Sequence, residues 1–93
     1  SGTNAAQARR REAASRREQT APLRKKIKEP KAMLEKLQKE IQAIDGRLAD
    51  PKVYAQPAKV AEQGKARADA ARALAEAEER WLELSGELEA AAG

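Results

Sequence analysis

Cysteine, histidine and phenylalanine are absent from this sequence, and tryptophan, tyrosine and methionine occur once each. Without thiols or imidazoles there is no disulfide staple, no thiolate nucleophile, no zinc site of the usual kinds and no histidine acid–base chemistry. Two aromatic rings in 93 residues also exclude a thick aromatic core. Long apolar runs are missing: none approaches the roughly 18 residues of a membrane-spanning helix, and no signal-peptide core follows the N-terminus. The Arg- and Ala-rich start is not read as a mitochondrial transit peptide, because Glu12 and Glu18 interrupt it and it has no apolar face. The expected compartment is the cytoplasm, with no membrane partner. The phosphate-binding loop G-x-x-x-x-G-K-[ST] and the G-x-G-x-x-G turn are missing as well, and every carboxylate falls at a helix-surface spacing. This chain is therefore expected to carry no catalytic site, no metal and no cofactor of its own.

What is present is a seam. Leu23, Ile27, Leu34, Leu37, Ile41, Ile44 and Leu48 recur at steps of four and three, the a/d pattern of a coiled coil. The one break in the series falls at Pro30, midway between Ile27 and Leu34. Such a helix is about 39 Å long at ~1.5 Å per residue, a rod rather than part of a thick domain. Proline in a helix interior removes one backbone bond and costs roughly 3 kcal/mol. Either the helix starts at Pro30 or a continuous helix kinks there; the seven-residue step from Ile27 to Leu34 keeps seam phase, which favours the kink.

The predicted fold is all-α: a two-helix antiparallel coiled-coil hairpin over 19–91, with a flexible basic linker over 1–18. Helix 1 spans about 19–49, a loop 50–57 and helix 2 about 58–90. Asp50-Pro51 and Pro57 punctuate the connection, and its shortness favours antiparallel pairing. Val53 and Tyr54 are expected to plug the end of the hairpin, Tyr54 as a packing residue with its hydroxyl in water. The heptad trace of helix 2 reads Val60, Gly64, Arg67, Ala71, Leu74, Glu78, Trp81, Ser85 and Leu88, with Gly64 as a hole in the seam. Counting from the loop places Trp81 beside Ile27 and Pro30, as an anchor filling the space a kink opens.

Charge is one-ended. Residues 1–31 carry ten basic and three acidic side chains, a net +7, whereas the remaining 62 residues carry nine basic and twelve acidic, a net −3. Such asymmetry is the footprint of a nucleic-acid contact. The candidate binding residues are Arg9, Arg10, Arg11, Arg16, Arg17, Arg24, Lys25, Lys28 and Lys31. Arg10, Arg17, Arg24 and Lys31 are spaced by seven and share one stripe, where arginine can grip two phosphate oxygens at once. The bland reading is that salt bridges to Glu76, Glu78, Glu79, Glu83, Glu87 and Glu89 at the end of helix 2 absorb the charge. Arg9, Arg10, Arg11 and Arg16 lie before that paired region and are the better candidates. With so few aromatics for stacking, contact would be to the backbone of duplex DNA or folded RNA, with little sequence specificity.

Two stretches, Leu48-Ala49-Asp50-Pro51 followed by Tyr54 and Pro57, and Glu79-Arg80-Trp81-Leu82-Glu83-Leu84, carry a resemblance. Over roughly residues 17–90 the chain resembles the C-terminal coiled-coil domain of the ABC-F family of ATP-binding cassette proteins, the group that includes Uup. The resemblance implies an accessory hairpin on a parent chain that hydrolyses ATP with Mg, acts on the ribosome and translation, and binds DNA or ribosomal RNA through this domain. Pro30 and Gly64 depart from the leucines expected at those seam positions. The alternative is a structural spacer or protein-interaction module of the parent ATPase, without nucleic-acid binding. The chain is expected to be monomeric, with weak dimerisation through the Leu/Ile seam as a further option.

Overall fold

The computed structural model describes residues 2–93. Three helices follow one another: α1 (Gly2–Ala49), the single turn α2 (Pro51–Tyr54) and α3 (Pro57–Ala92). α1 and α3 lie antiparallel: Arg47 bonds Gln63 and Asp45 bonds Arg67 near the connection, while Arg17 and Thr20 border a groove with Leu88 and Ala92 at the far end. The product is an all-α hairpin and a rod, 77 × 18 × 15 Å.

Each element begins where the sequence supplies a start. Asp50 is the N-cap of α2, its Oδ1 accepting the Lys52 N–H at 2.9 Å. Pro51 and Pro57 occupy first-turn positions of α2 and α3, where a missing N–H costs nothing. Arg47 sits in the last turn of α1, the favourable end for a cation.

The α1 seam follows the sequence pattern. Pro30, Leu37 and Ile44 are buried; Leu23, Ile27, Leu34, Ile41 and Leu48 are half-buried. The helix runs unbroken through Pro30, and through Pro22 as well, so Pro30 does not start it. Thr20 extends the seam one step back and is only 3% exposed. The segment expected as a flexible basic linker, 1–18, is helical from Gly2 onward and continuous with the rest of α1.

The α3 seam differs from the expected trace by one residue in every second position. Ala70, Ala77 and Leu84 are buried, with Val60, Gln63, Leu74, Trp81 and Leu88 half-buried; of the expected positions Ala71 and Ser85 are half-buried beside them, whereas Gly64 and Glu78 are exposed. The seam therefore uses 63, 70, 77 and 84 where 64, 71, 78 and 85 were expected. The reason is packing: Leu84 and the methyl of Ala77 bury more apolar area than Ser85 and Glu78 would, and Ala70 follows in the same phase. Large Leu and Ile on the α1 seam are matched by small Ala on much of the α3 seam, which lets the two helices approach closely. Gly64 is no hole in this seam, since a Cβ added there would meet nothing within 4 Å.

Two further expectations need correction. Tyr54 is 71% exposed and plugs nothing; Val53 turns inward instead. Trp81 is half-buried, but it shares its groove with Lys31, Leu34, Glu35 and Gln38, while Pro30 lines a groove with Ala77 and Arg80. The pairs Arg47–Gln63 and Asp45–Arg67 set the register two to four residues off the count from Leu48 and Val60, which puts Trp81 level with residues 29–31 of α1, at the expected Pro30 but up to one turn beyond Ile27.

Candidate nucleic-acid interface

α1 carries all nine candidate cations, and every one is exposed: Arg9, Arg10, Arg11, Arg16, Arg17, Arg24, Lys25, Lys28 and Lys31. At 100° per residue Arg9 and Arg16 fall on one line along the helix and Arg10 and Arg17 on another. Between those lines runs the backward continuation of the seam, through Thr20 and Ala13. Two rows of arginine thus flank a narrow strip of small side chains. Where the strip meets the end of α3, Arg16, Arg17 and Arg24 border a groove of about 570 Å³ with Ala13, Leu88 and Ala92.

The salt bridges expected to neutralise this charge are not formed. Among the described residues three ion pairs are present: Arg67–Asp45, Arg72–Asp69 and Arg80–Glu83. Only the first joins the two long helices, and it lies near the connection. None of the nine candidate cations takes part. The side chains of Glu76, Glu78, Glu79, Glu83, Glu87 and Glu89 are exposed on α3, and among the described residues none pairs with an α1 cation.

Arg24 is partly committed elsewhere. Its guanidinium donates to the Thr20 hydroxyl and, at 2.8 Å, to the carbonyl oxygen of Arg17, while the Thr20 hydroxyl donates to the same carbonyl at 3.2 Å. This satisfies the buried threonine and gathers side-chain donors one turn before Pro22, whose ring nitrogen cannot bond the Glu18 carbonyl. Lys31 borders the Trp81 groove. Among the described residues, Arg9, Arg10, Arg11, Arg16, Arg17, Lys25 and Lys28 make no side-chain hydrogen bond or ion pair of their own.

The Asp45–Arg67 pair perturbs the protonation of both its members. Arg67 donates from Nε to Oδ1 at 2.6 Å and from a terminal nitrogen to Oδ2 at 3.3 Å. That hydrogen bond, reinforced by the guanidinium charge and opposed by some desolvation, holds the Asp45 carboxyl below the usual carboxylate range; the same bond raises Arg67. Both side chains are about half-exposed, so the pair acts as a clasp that fixes register rather than as a large source of stability.

No group of three or more Asp or Glu among the described residues is placed to hold a metal, and no helix is long and apolar enough to cross a membrane. The architecture is that of an accessory helical hairpin. The family model described as the ABC transporter C-terminal domain matches residues 11–86, and the chain belongs to that family. No curated protein and no solved structure matches it. In this frame the Glu79–Leu84 stretch makes structural sense: Trp81 and Leu84 enter the seam and Leu82, 62% exposed, does not.

Proposed function

We infer that this hairpin is the C-terminal accessory domain of an ABC-F type ATP-binding cassette ATPase, and that it binds nucleic acid without sequence preference through the first half of α1. The family match and the two motifs around Asp50-Pro51 and Trp81 support the parent class, in which ATP and Mg belong to the cassettes. The observation that carries nucleic-acid binding is unneutralised charge: ten exposed basic side chains within residues 1–31, and no ion pair to any of them among the described residues. Arg9, Arg10, Arg11, Arg16 and Arg17 form the main contact, with Lys25 and Lys28 extending the track. This stretch has no aromatic side chain, so its partner is the sugar-phosphate backbone of duplex DNA or structured RNA.

Each phosphate neutralised contributes about 0.9 to the slope of log affinity against log salt on duplex DNA, so four to six contacts give a slope of about −4 to −5. Titration of a duplex at several salt concentrations measures it. The 77 Å rod also favours a second reading, a spacer that sets the reach of the parent ATPase. A spacer binds neither DNA nor RNA in a salt-dependent way.

A further inference from the structure

The opposite end of the rod is built with more care than a connection requires. Between Asp50 and Val60 nearly every backbone donor is used: the N–H groups of Val53 and Tyr54 both reach the Asp50 carbonyl, at 3.1 and 2.9 Å, Ala55 reaches Pro51 and Gln56 reaches Val53. The Asp50 carboxylate caps α2, the Gln56 amide donates to the Lys52 carbonyl at 3.0 Å, and prolines fix the first turns of α2 and α3. Just behind, Arg47–Gln63 and Asp45–Arg67 clasp the two long helices.

This fixed backbone holds the only tyrosine of the chain outward, 71% exposed, while Val53 does the packing. The surroundings are cationic. Residues 47–65 carry Arg47, Lys52, Lys59 and Lys65 against Asp50 and Glu62, a net +2. Lys52 and Lys59 are exposed and, among the described residues, in no ion pair, and the Asp50 carboxylate is occupied by its cap.

We propose that Tyr54, flanked by Lys52 and Lys59, is a second nucleic-acid contact that stacks on an unpaired nucleobase at the tip of the hairpin. A flat ring on a rigid tip loses little freedom on binding, because only two side-chain torsions remain to be fixed. Bases offer a π face whatever their identity, and the lysines meet the flanking phosphates. An apolar protein partner fits less well, since the apolar surface here is a single ring between cations. The inference rests on the preceding reading only for the class of partner; its residues lie at the other end of the rod.

The test uses short RNA and DNA stem-loops with about six unpaired nucleotides, and blunt duplexes of the same stems. Because Tyr54 is the only tyrosine, its ring proton resonances are unambiguous, and stacking shifts them upfield on addition of a stem-loop but not of a blunt duplex. In a chain carrying Arg9→Gln, Arg10→Gln, Arg11→Gln and Arg16→Gln, which isolates the tip, Tyr54→Ala lowers stem-loop affinity roughly tenfold, within the range of single-base stacking. Tyr54→Phe preserves it, and all three chains melt together because the ring is exposed. A response to the RNA loop, the DNA loop or both supports the proposal and identifies the source of the base. Tyr54 resonances that stay in place, or that move equally with blunt duplex, overturn it, as does equal binding by the Ala and Phe variants. If instead the arginine replacements leave duplex affinity intact, the α1 reading fails and the Tyr54 result stands by itself.

Discussion

Gly64 and Asp45 show how much depends on which face a residue occupies. A glycine at a seam position would leave a hole, and Leu there would gain both helix propensity and burial. Gly64 is exposed and its Cβ would point into open space, so only the propensity remains. Gly64→Ala is expected to raise stability by about 1 kcal/mol, and Gly64→Leu by no more than that; thermal melts of both variants check it. A clearly larger gain for Leu would mean that position 64 reaches the seam. Asp45 gives a pH prediction. Its carboxyl titrates lower in the folded chain than in the unfolded one, so the unfolded state binds more protons as acid is added. The clasp therefore contributes above the ordinary carboxylate range and is lost as pH falls through it to the lowered folded value. Asp45→Asn is expected to flatten the part of the acid-stability curve that belongs to this group, leaving neutral-pH stability only slightly lower. An unchanged curve would show that Arg67 does not discriminate the ionised form.

At the level of elements, α1 and α3 were unequally legible. Large aliphatics mark the α1 seam at every step from Leu23 to Leu48 except Pro30, and one proline did not obscure a period carried by seven residues. In α3 alanine occurs on every face, so periodicity carried little information. The trace through Gly64 and Glu78 was wrong because Ala70 and Ala77, the true seam, look like their neighbours. Tyr54 was misplaced for a different reason: Val53 and Tyr54 compete for one inward position at the tip, and adjacent residues on a helical turn cannot both take it. Pro22 lies off the seam pattern and gave no signal there, although it also removes an interior hydrogen bond. Pro22→Ala restores the bond to the Glu18 carbonyl and is expected to stabilise the first half of α1 by up to about 3 kcal/mol. Amide exchange upstream of residue 22 reads this directly, as slower exchange; unchanged or faster exchange would show that the missing bond to Glu18 does not limit opening there.

For the whole molecule, hairpin topology and charge asymmetry were both legible, since short connections force antiparallel neighbours and charge can be counted. Cross-helix salt bridging was not. Acids and bases at matching levels of two helices still bond only when their side chains meet, and Glu76, Glu78, Glu79, Glu83, Glu87 and Glu89 stay exposed without an α1 partner among the described residues. The basic first half of α1 and the acidic last half of α3 consequently share one end of the rod, with the arginines before residue 18 reaching past the acids. Its central functional claim is that the basic half grips phosphates. The most direct measurement is the salt dependence of duplex binding in the parent chain and in the Arg9→Gln, Arg10→Gln, Arg11→Gln, Arg16→Gln variant. The replacements are expected to flatten the slope by up to about 3.6 units, about 0.9 for each phosphate that is no longer neutralised, with the melting temperature nearly unchanged because these side chains lie outside the seam. Affinity and slope that survive the replacements would contradict the account and leave the hairpin as a spacer.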